Sequence, residues 1–171
     1  MVMKILAIDP GFERLGIAVV EKVYPSSGGR DTVLLASDCL RTSAKLPFPE
    51  RLAKLGAEIN QWLDRWQPQA VALEKLFITN NQKTAMRVAE VRGMIIYLAA
   101  SRGLPVIEKT PLEIKQAITG FGRADKTQVT NMVSKLVVLP VDKQTKMLDD
   151  EYDAIALGLT ALATYQMLST K

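Results

Sequence analysis

The stretch at 3–16, MKILAIDPGFERLG, limits what this chain can fold into more than any other. Residues 3–8 are mostly apolar, and a run that is apolar on both faces belongs at the centre of a sheet rather than at its edge. It leads straight into Asp9, Pro10 and Gly11. Proline cannot donate to the ladder and glycine opens a turn, so the strand stops there. A second apolar run, 15–20, follows after the turn. The expected result is a hairpin with a carboxylate, Asp9, at the tip of the innermost strand. Taken alone, a DPG triplet serves equally well to cap a turn.

The rest of the chain supplies elements to pack around that hairpin. Strands are expected at 3–8, 15–21 and 32–38, forming an antiparallel meander. The Pro-, Ser- and Gly-containing segment 24–31 reads as a hairpin tip, and 41–49 as irregular. Pro49 suits the first turn of a helix, and Glu50 lies near its positive end. Leu52, Leu55, Ile59, Leu63 and Trp66 recur at helical spacing, so this helix covers one face of the sheet until Pro68 ends it. Residues 70–73 form a short buried strand with Glu74 at its C-terminal end, expected to run parallel to the first. Residues 75–81 are a loop carrying Phe77.

A long helix is expected over 82–102, with Ala85, Val88, Ala89, Ile95, Ile96 and Ala99 as a broad apolar side. Gly93 costs it about 1 kcal/mol of propensity. That small-residue side is either ordinary core or a seam between two copies. A fifth strand at 104–107 is parallel if the helix is a crossover. Thr110, Pro111 and Glu113 spell a capping box with proline at the first helical position. That short helix ends near Gly120. The loop TGFGRAD at 119–125 then leads to Asp125, which caps a helix over 126–136, with Gln128 at its third position. The last helix spans 150–167. Three antiparallel strands, then alternating helices and strands, then helices, give an α/β fold: a mixed sheet covered by helices. With 171 residues and no repeat, one domain over 1–171 is expected.

Composition removes several chemistries. There is no histidine and one cysteine, Cys39. Imidazole zinc sites, Cys-His pairs and Ser-His-Asp triads are therefore excluded, as is an internal disulfide. Polar chemistry must rest on carboxylates, lysines or hydroxyls, and carboxylates without imidazole favour a hard cation such as magnesium or manganese. The excess of 22 basic over 18 acidic residues permits a nucleic-acid partner without requiring one. No apolar stretch is long enough for a membrane span or signal region, so a cytoplasmic protein is expected.

Four acids stand out: Asp9 and Glu74 at strand ends, and Asp150 and Asp153 on one face at a helix start. Asp149 and Glu151 blur which member of the late acidic run matters. Singly, each has an ordinary role as a cap or a solvated acid. Together, four carboxylates would repel one another without a cation. A pair of divalent ions among them would activate water against a phosphodiester. Among the basic residues, Lys75, Lys83, Lys109, Lys115, Arg123 and Lys126 can meet phosphates on either side of the acids. Arg123 and Lys126 bracket a loop that feeds a helix N-terminus. Arg87 and Arg92 read as an ordinary solvated face. Phe77 is either a core cover or a ring that stacks on an unpaired base.

An ordered set of motifs now accumulates: IDPG at 8–11, LEKLF at 73–77, KTAMRVAEVRG at 83–93, GLPV at 103–106, IKQAITGFGRADKTQV at 114–129 and DEYDAIALGL at 150–159. In this order and spacing the chain resembles the RuvC family of Holliday-junction resolvases, within the RNase H-like superfamily. The resemblance spans nearly the whole length. It implies an RNase H-like sheet of five strands, three antiparallel plus two parallel, with helices on both faces. It also implies a homodimer with one four-acid site per subunit. The acids that match are Asp9, Glu74, Asp150 and Asp153. Some members of the family carry histidine at a late metal position, where this chain has an acid. Phe77 matches the aromatic that enters the opened junction. Lys115 and Lys126 match the phosphate-binding and catalytic-support lysines, and Lys83 and Arg123 join the DNA-binding set. The long helix resembles the one used for dimerisation, which puts Val88, Ala89, Arg92, Gly93 and Ile96 at the seam. A longer turn at 26–30 departs from the family.

The expected function is a magnesium-dependent endonuclease, with two ions per subunit and manganese as a substitute. It cuts opposite strands of four-way DNA junctions symmetrically and leaves 5′ phosphates. Its expected partner is a branch-migration helicase complex of the RuvA and RuvB type. The rivals are a YqgF-like nuclease of ribosomal RNA precursors and a non-catalytic junction-binding module. Sugar kinases share the strand-DPG opening, but this chain is too short for their two-lobed form and lacks their second phosphate loop.

Overall fold

The structure, a computed structural model, describes residues 3–23, 31–75, 82–143 and 147–169, without the side chains of 166–169. Phe77, the turn at 26–30 and nearly all of the 75–81 loop lie outside the described residues.

Five strands form one sheet in the order β3-β2-β1-β4-β5. β1 (Met3–Asp9) is central, and Ile5, Leu6, Ala7 and Ile8 are wholly buried. Alternate side chains point to opposite faces, so Ile5 and Ala7 enter one core while Leu6 and Ile8 enter another. Each such large side chain contributes about 1.5–3 kcal/mol by its burial. β2 (Arg14–Lys22) and β3 (Thr32–Arg41) complete the antiparallel meander. β4 (Ala70–Glu74) and β5 (Val106–Lys109) add in parallel.

Two helices cover the first face: α1 (Phe48–Trp66) and α2 (Gln82–Ala100). Leu55, Ile59 and Leu63 of α1 meet Val91, Ile95 and Ala99 of α2 over Leu6, Ile8 and Leu73. Three helices cover the other: α3 (Pro111–Thr119), α4 (Lys126–Leu136) and α5 (Asp149–Ser169). Both expected capping boxes form, Thr110 with Glu113 and Asp125 with Gln128. The mixed sheet with helices on both faces is the expected α/β architecture.

Four expectations need correction. β5 begins at Val106, not 104, because the Leu104 amide still closes α2 onto Ala99 and Pro105 has no amide to give a ladder. β3 runs on to Arg41, with a register shift opposite Val19 and Val20. The apolar side assigned to α2 is two sides: Ile95 and Ala99 are buried with Val91, whereas Ala89 and Ile96 face outward. Arg92 is buried, not solvated. Among the described residues, no helix is long and apolar enough to cross a membrane.

Candidate active site

One row across the sheet gathers the site. Asp9 pairs with Gly16 of β2, and Gly16 pairs with Cys39 of β3. On the other side Ile8 pairs with Leu73, so Glu74 ends β4 beside Asp9, and Glu74 pairs with Lys109 of β5. The two-residue period puts Asp9 on the face of Ile5 and Ala7, and Glu74 on that of Ala70 and Ala72. That is the face α5 covers.

The seat of α5 depends on missing side chains. A Cβ on Gly16 would lie 2.0 Å from the Asp150 carbonyl oxygen, and one on Gly158 would lie 2.7 Å from Val20 Cγ2. Glycine at both points lets the helix lie directly on the sheet. Its first turn therefore delivers Asp150 and Asp153 beside Asp9. The acidic run separates by role. Asp149 is exposed and reaches Lys126 at 3.4 Å. Glu151 is buried and accepts from the Ser37 hydroxyl at 2.7 Å, Lys143 Nζ at 2.6 Å and the Leu148 amide at 2.9 Å. Burial alone would raise its pKa, but the Lys143 ammonium and the two hydrogen bonds outweigh that and hold it below the usual range. Glu151 is a structural anchor for α5.

Asp9, Glu74 and Asp153 line one cleft with Lys115 and Lys126. Pro111, Ile114, Val129, Ala156 and Leu157 form its apolar walls. Its volume is about 240 Å³. Burial pushes the Asp9 carboxyl well up, and the charges of Glu74, Asp153 and Asp150 push it further. Glu74 is also raised, first by burial and then by Asp153, against the opposing pull of its hydrogen bond with Asp9 and of Arg92. Burial raises Asp153 as well, with Lys126 opposing at 3.2 Å. Desolvation works against the Lys126 ammonium, but Asp153 and Asp149 outweigh it and keep it protonated.

Asp150 bears on this cluster electrostatically but does not line the cleft. Its carboxylate accepts from the Arg14 guanidinium and lies 3.6 Å from Cys39 Sγ. Among the described residues, no group of three or more Cys, Asp or Glu side chains is arranged to hold a metal ion as it stands. The four charges share one neighbourhood, and the two late acids are turned onto protein cations. Among the described residues no ion pair reaches Asp9 or Glu74. A set of half-buried carboxylates, two of them without a cationic partner among the described residues, fits a hard divalent cation.

The other expected residues divide. Lys83 is exposed and lines a groove with Phe12, Met86 and Arg87. Arg123 is exposed on the connection between α3 and α4. Ala89, Gly93 and Ile96 lie on the outer side of α2, with Val88 partly covered. Arg92 instead turns inward to Glu108 of β5, and its charge reaches Glu74. Four contributors escaped sequence reasoning. Arg14 and Cys39 hold Asp150. Thr42 and Arg51 both donate to the Phe12 carbonyl, Arg51 at 3.2 Å, and so brace the turn after Asp9. Each lies on a different element from its partner, and no spacing rule links them.

The family model "Crossover junction endodeoxyribonuclease RuvC" matches residues 5–161. A crossover junction endodeoxyribonuclease RuvC from Thermomicrobium roseum is 42% identical over 157 residues, covering 92% of this chain and 91% of that protein. One from Moorella thermoacetica is 43% identical, with 92% and 89% covered. Among solved structures, Thermus thermophilus RuvC in complex with a Holliday junction substrate superposes with a TM-score of 0.84 at 32% identity, covering 98% of this chain and 97% of that one.

Proposed function

The chain belongs to the RuvC family of crossover junction endodeoxyribonucleases, and from that premise we propose a working site and mechanism for it. It is a nuclease that resolves four-way DNA junctions. The observation that carries the mechanism is the meeting of Asp9, Glu74 and Asp153 in one cleft with Lys115 and Lys126.

Asp9 and Glu74 would hold a divalent cation, magnesium or manganese, and Asp153 and Asp150 would complete its ligands, with two ions expected per subunit. When bound, the cation supplies charge neutralisation at the phosphoryl oxygens and acidifies a water so that it attacks phosphorus near neutral pH. Asp9 and Glu74 both carry raised pKa values, so a bound cation would favour their ionised forms. Lys126, protonated and half exposed, faces the charge that develops on the phosphate. Lys115 holds the phosphate from the α3 side, and the apolar wall limits competing water. In-line attack leaves a 5′ phosphate and a 3′ hydroxyl. Phe77, Lys83 and Arg123 contact the junction around the cut.

Two subunits, paired through the outer side of α2, nick opposite strands symmetrically. The protein acts in the cytoplasm beside a branch-migration helicase of the RuvA and RuvB type. No observation favours the RNA-processing or the non-catalytic reading.

The test compares a mobile four-way junction with linear duplex and RNA–DNA hybrid, with and without Mg²⁺. Paired nicks in the junction alone, dependent on Mg²⁺ and lost in Asp9→Asn while junction binding persists, are expected. Equal cutting by Asp9→Asn would defeat the assignment.

A further inference from the structure

Asp150 is the one late acid of the set that the cleft does not line. Three residues on two strands fix where it goes instead. Its backbone rests on Gly16. Cys39, the cross-strand partner of Gly16, presents Sγ 3.6 Å from its carboxylate. Arg14, which opens β2, donates to the same carboxylate oxygen. The Asp150 side chain is 22% exposed and that of Arg14 is 50% exposed. The acid is the fixed member of the pair, and the arginine, with solvent beside it, is the one free to leave. Asp153 has a parallel arrangement with Lys126.

We infer that Arg14 is a stand-in counterion. It neutralises Asp150 while the acids hold no divalent ion, and it must release that carboxylate before Asp150 can serve a cation held by Asp9, Glu74 and Asp153. The inference rests on the reading of these acids as a cation site. The exchange balances: one guanidinium–carboxylate pair is lost, one cation–carboxylate contact is gained, and a positive charge is freed at the rim where an anionic backbone enters. The hold is weak by design of its exposure. A solvated ion pair biases such an equilibrium by no more than about fivefold.

The experiment is calorimetric titration of Mn²⁺ into the DNA-free full chain. Arg14→Gln is expected to bind Mn²⁺ about two- to fivefold more tightly than wild type. Arg14→Lys, which keeps the charge, should stay at wild-type affinity. In an Asp150→Asn background, Arg14→Gln should change nothing. A residue that merely braced the turn would weaken binding when removed, so equal or weaker affinity in Arg14→Gln overturns the inference. A gain that persists without Asp150 overturns it too. Asp9→Asn separates the two layers. If it abolishes Mn²⁺ binding while Arg14→Gln has no effect, only the role of Arg14 falls. If it binds Mn²⁺ like wild type, the cation site falls and the inference with it.

Discussion

Asp9 keeps its proton well above the ordinary carboxylate value of 3.8, because it is buried beside Glu74, Asp153 and Asp150. The sign of the pH dependence follows. The folded chain binds this proton more tightly than the unfolded chain does. Stability therefore falls as pH rises from 3.8 toward the raised folded value, and the full cost is felt above it. Asp9→Asn removes the cost. In EDTA at pH 8 the variant should be more stable than wild type and melt at a higher temperature. Scanning calorimetry should show the gap closing near pH 4 and shrinking when Mn²⁺ is added to wild type. A variant no more stable than wild type at pH 8 would mean that Asp9 is not charged at a cost. The position of Asp9 was legible, since an apolar run ending in DPG leaves few alternatives. The basic residue whose charge reaches Glu74 was not. Arg92 sits on a helix with apolar residues on two sides, and its partner, Glu108, lies on β5.

α5 shows how an element can position a site through what it lacks. Gly16 admits the Asp150 backbone where a Cβ would stand 2.0 Å from its carbonyl oxygen. Gly16→Ala should lift the start of α5 from the sheet, with a cost of about 1–3 kcal/mol for the overpacking. Junction cleavage should fall more than tenfold, read beside a melting curve that confirms a folded chain; unimpaired cleavage would show that the seat of α5 does not set the acids. The strands, the capping boxes at Thr110 and Asp125, and the order of elements could be read from the sequence because each follows a local period or a fixed offset. β3 resisted for a physical reason. Its register shift opposite Val19 and Val20 breaks the two-residue alternation, so Ser37 and Cys39 reach α5 although strict alternation from Leu34 would turn them away. Glu151 resisted as well, because nothing in an acidic run says which member is buried.

Across the whole molecule the two faces of the sheet divide the work. α3, α4 and α5 close over the acids, while α1 and α2 close the opposite core. α2 keeps an outer stripe of Met86, Ala89, Gly93, Ile96 and Tyr97, of which Met86 and Tyr97 are about 70% exposed. As the proposed seam between two subunits, this stripe should not accept a charge. Ile96→Glu is expected to sediment as a monomer where wild type sediments as a dimer, and to turn paired nicks into unpaired ones; a dimeric Ile96→Glu would place the seam elsewhere. The separation of α2 into an inner and an outer side was the least legible feature, because small apolar residues line both. On the other face, anomalous X-ray scattering from crystals soaked in Mn²⁺ reads the cation site itself. Manganese peaks bounded by Asp9, Glu74 and Asp153, absent in Asp9→Asn, are the expected result. Wild-type crystals with no peak in that cleft, or with manganese held only elsewhere, would contradict it.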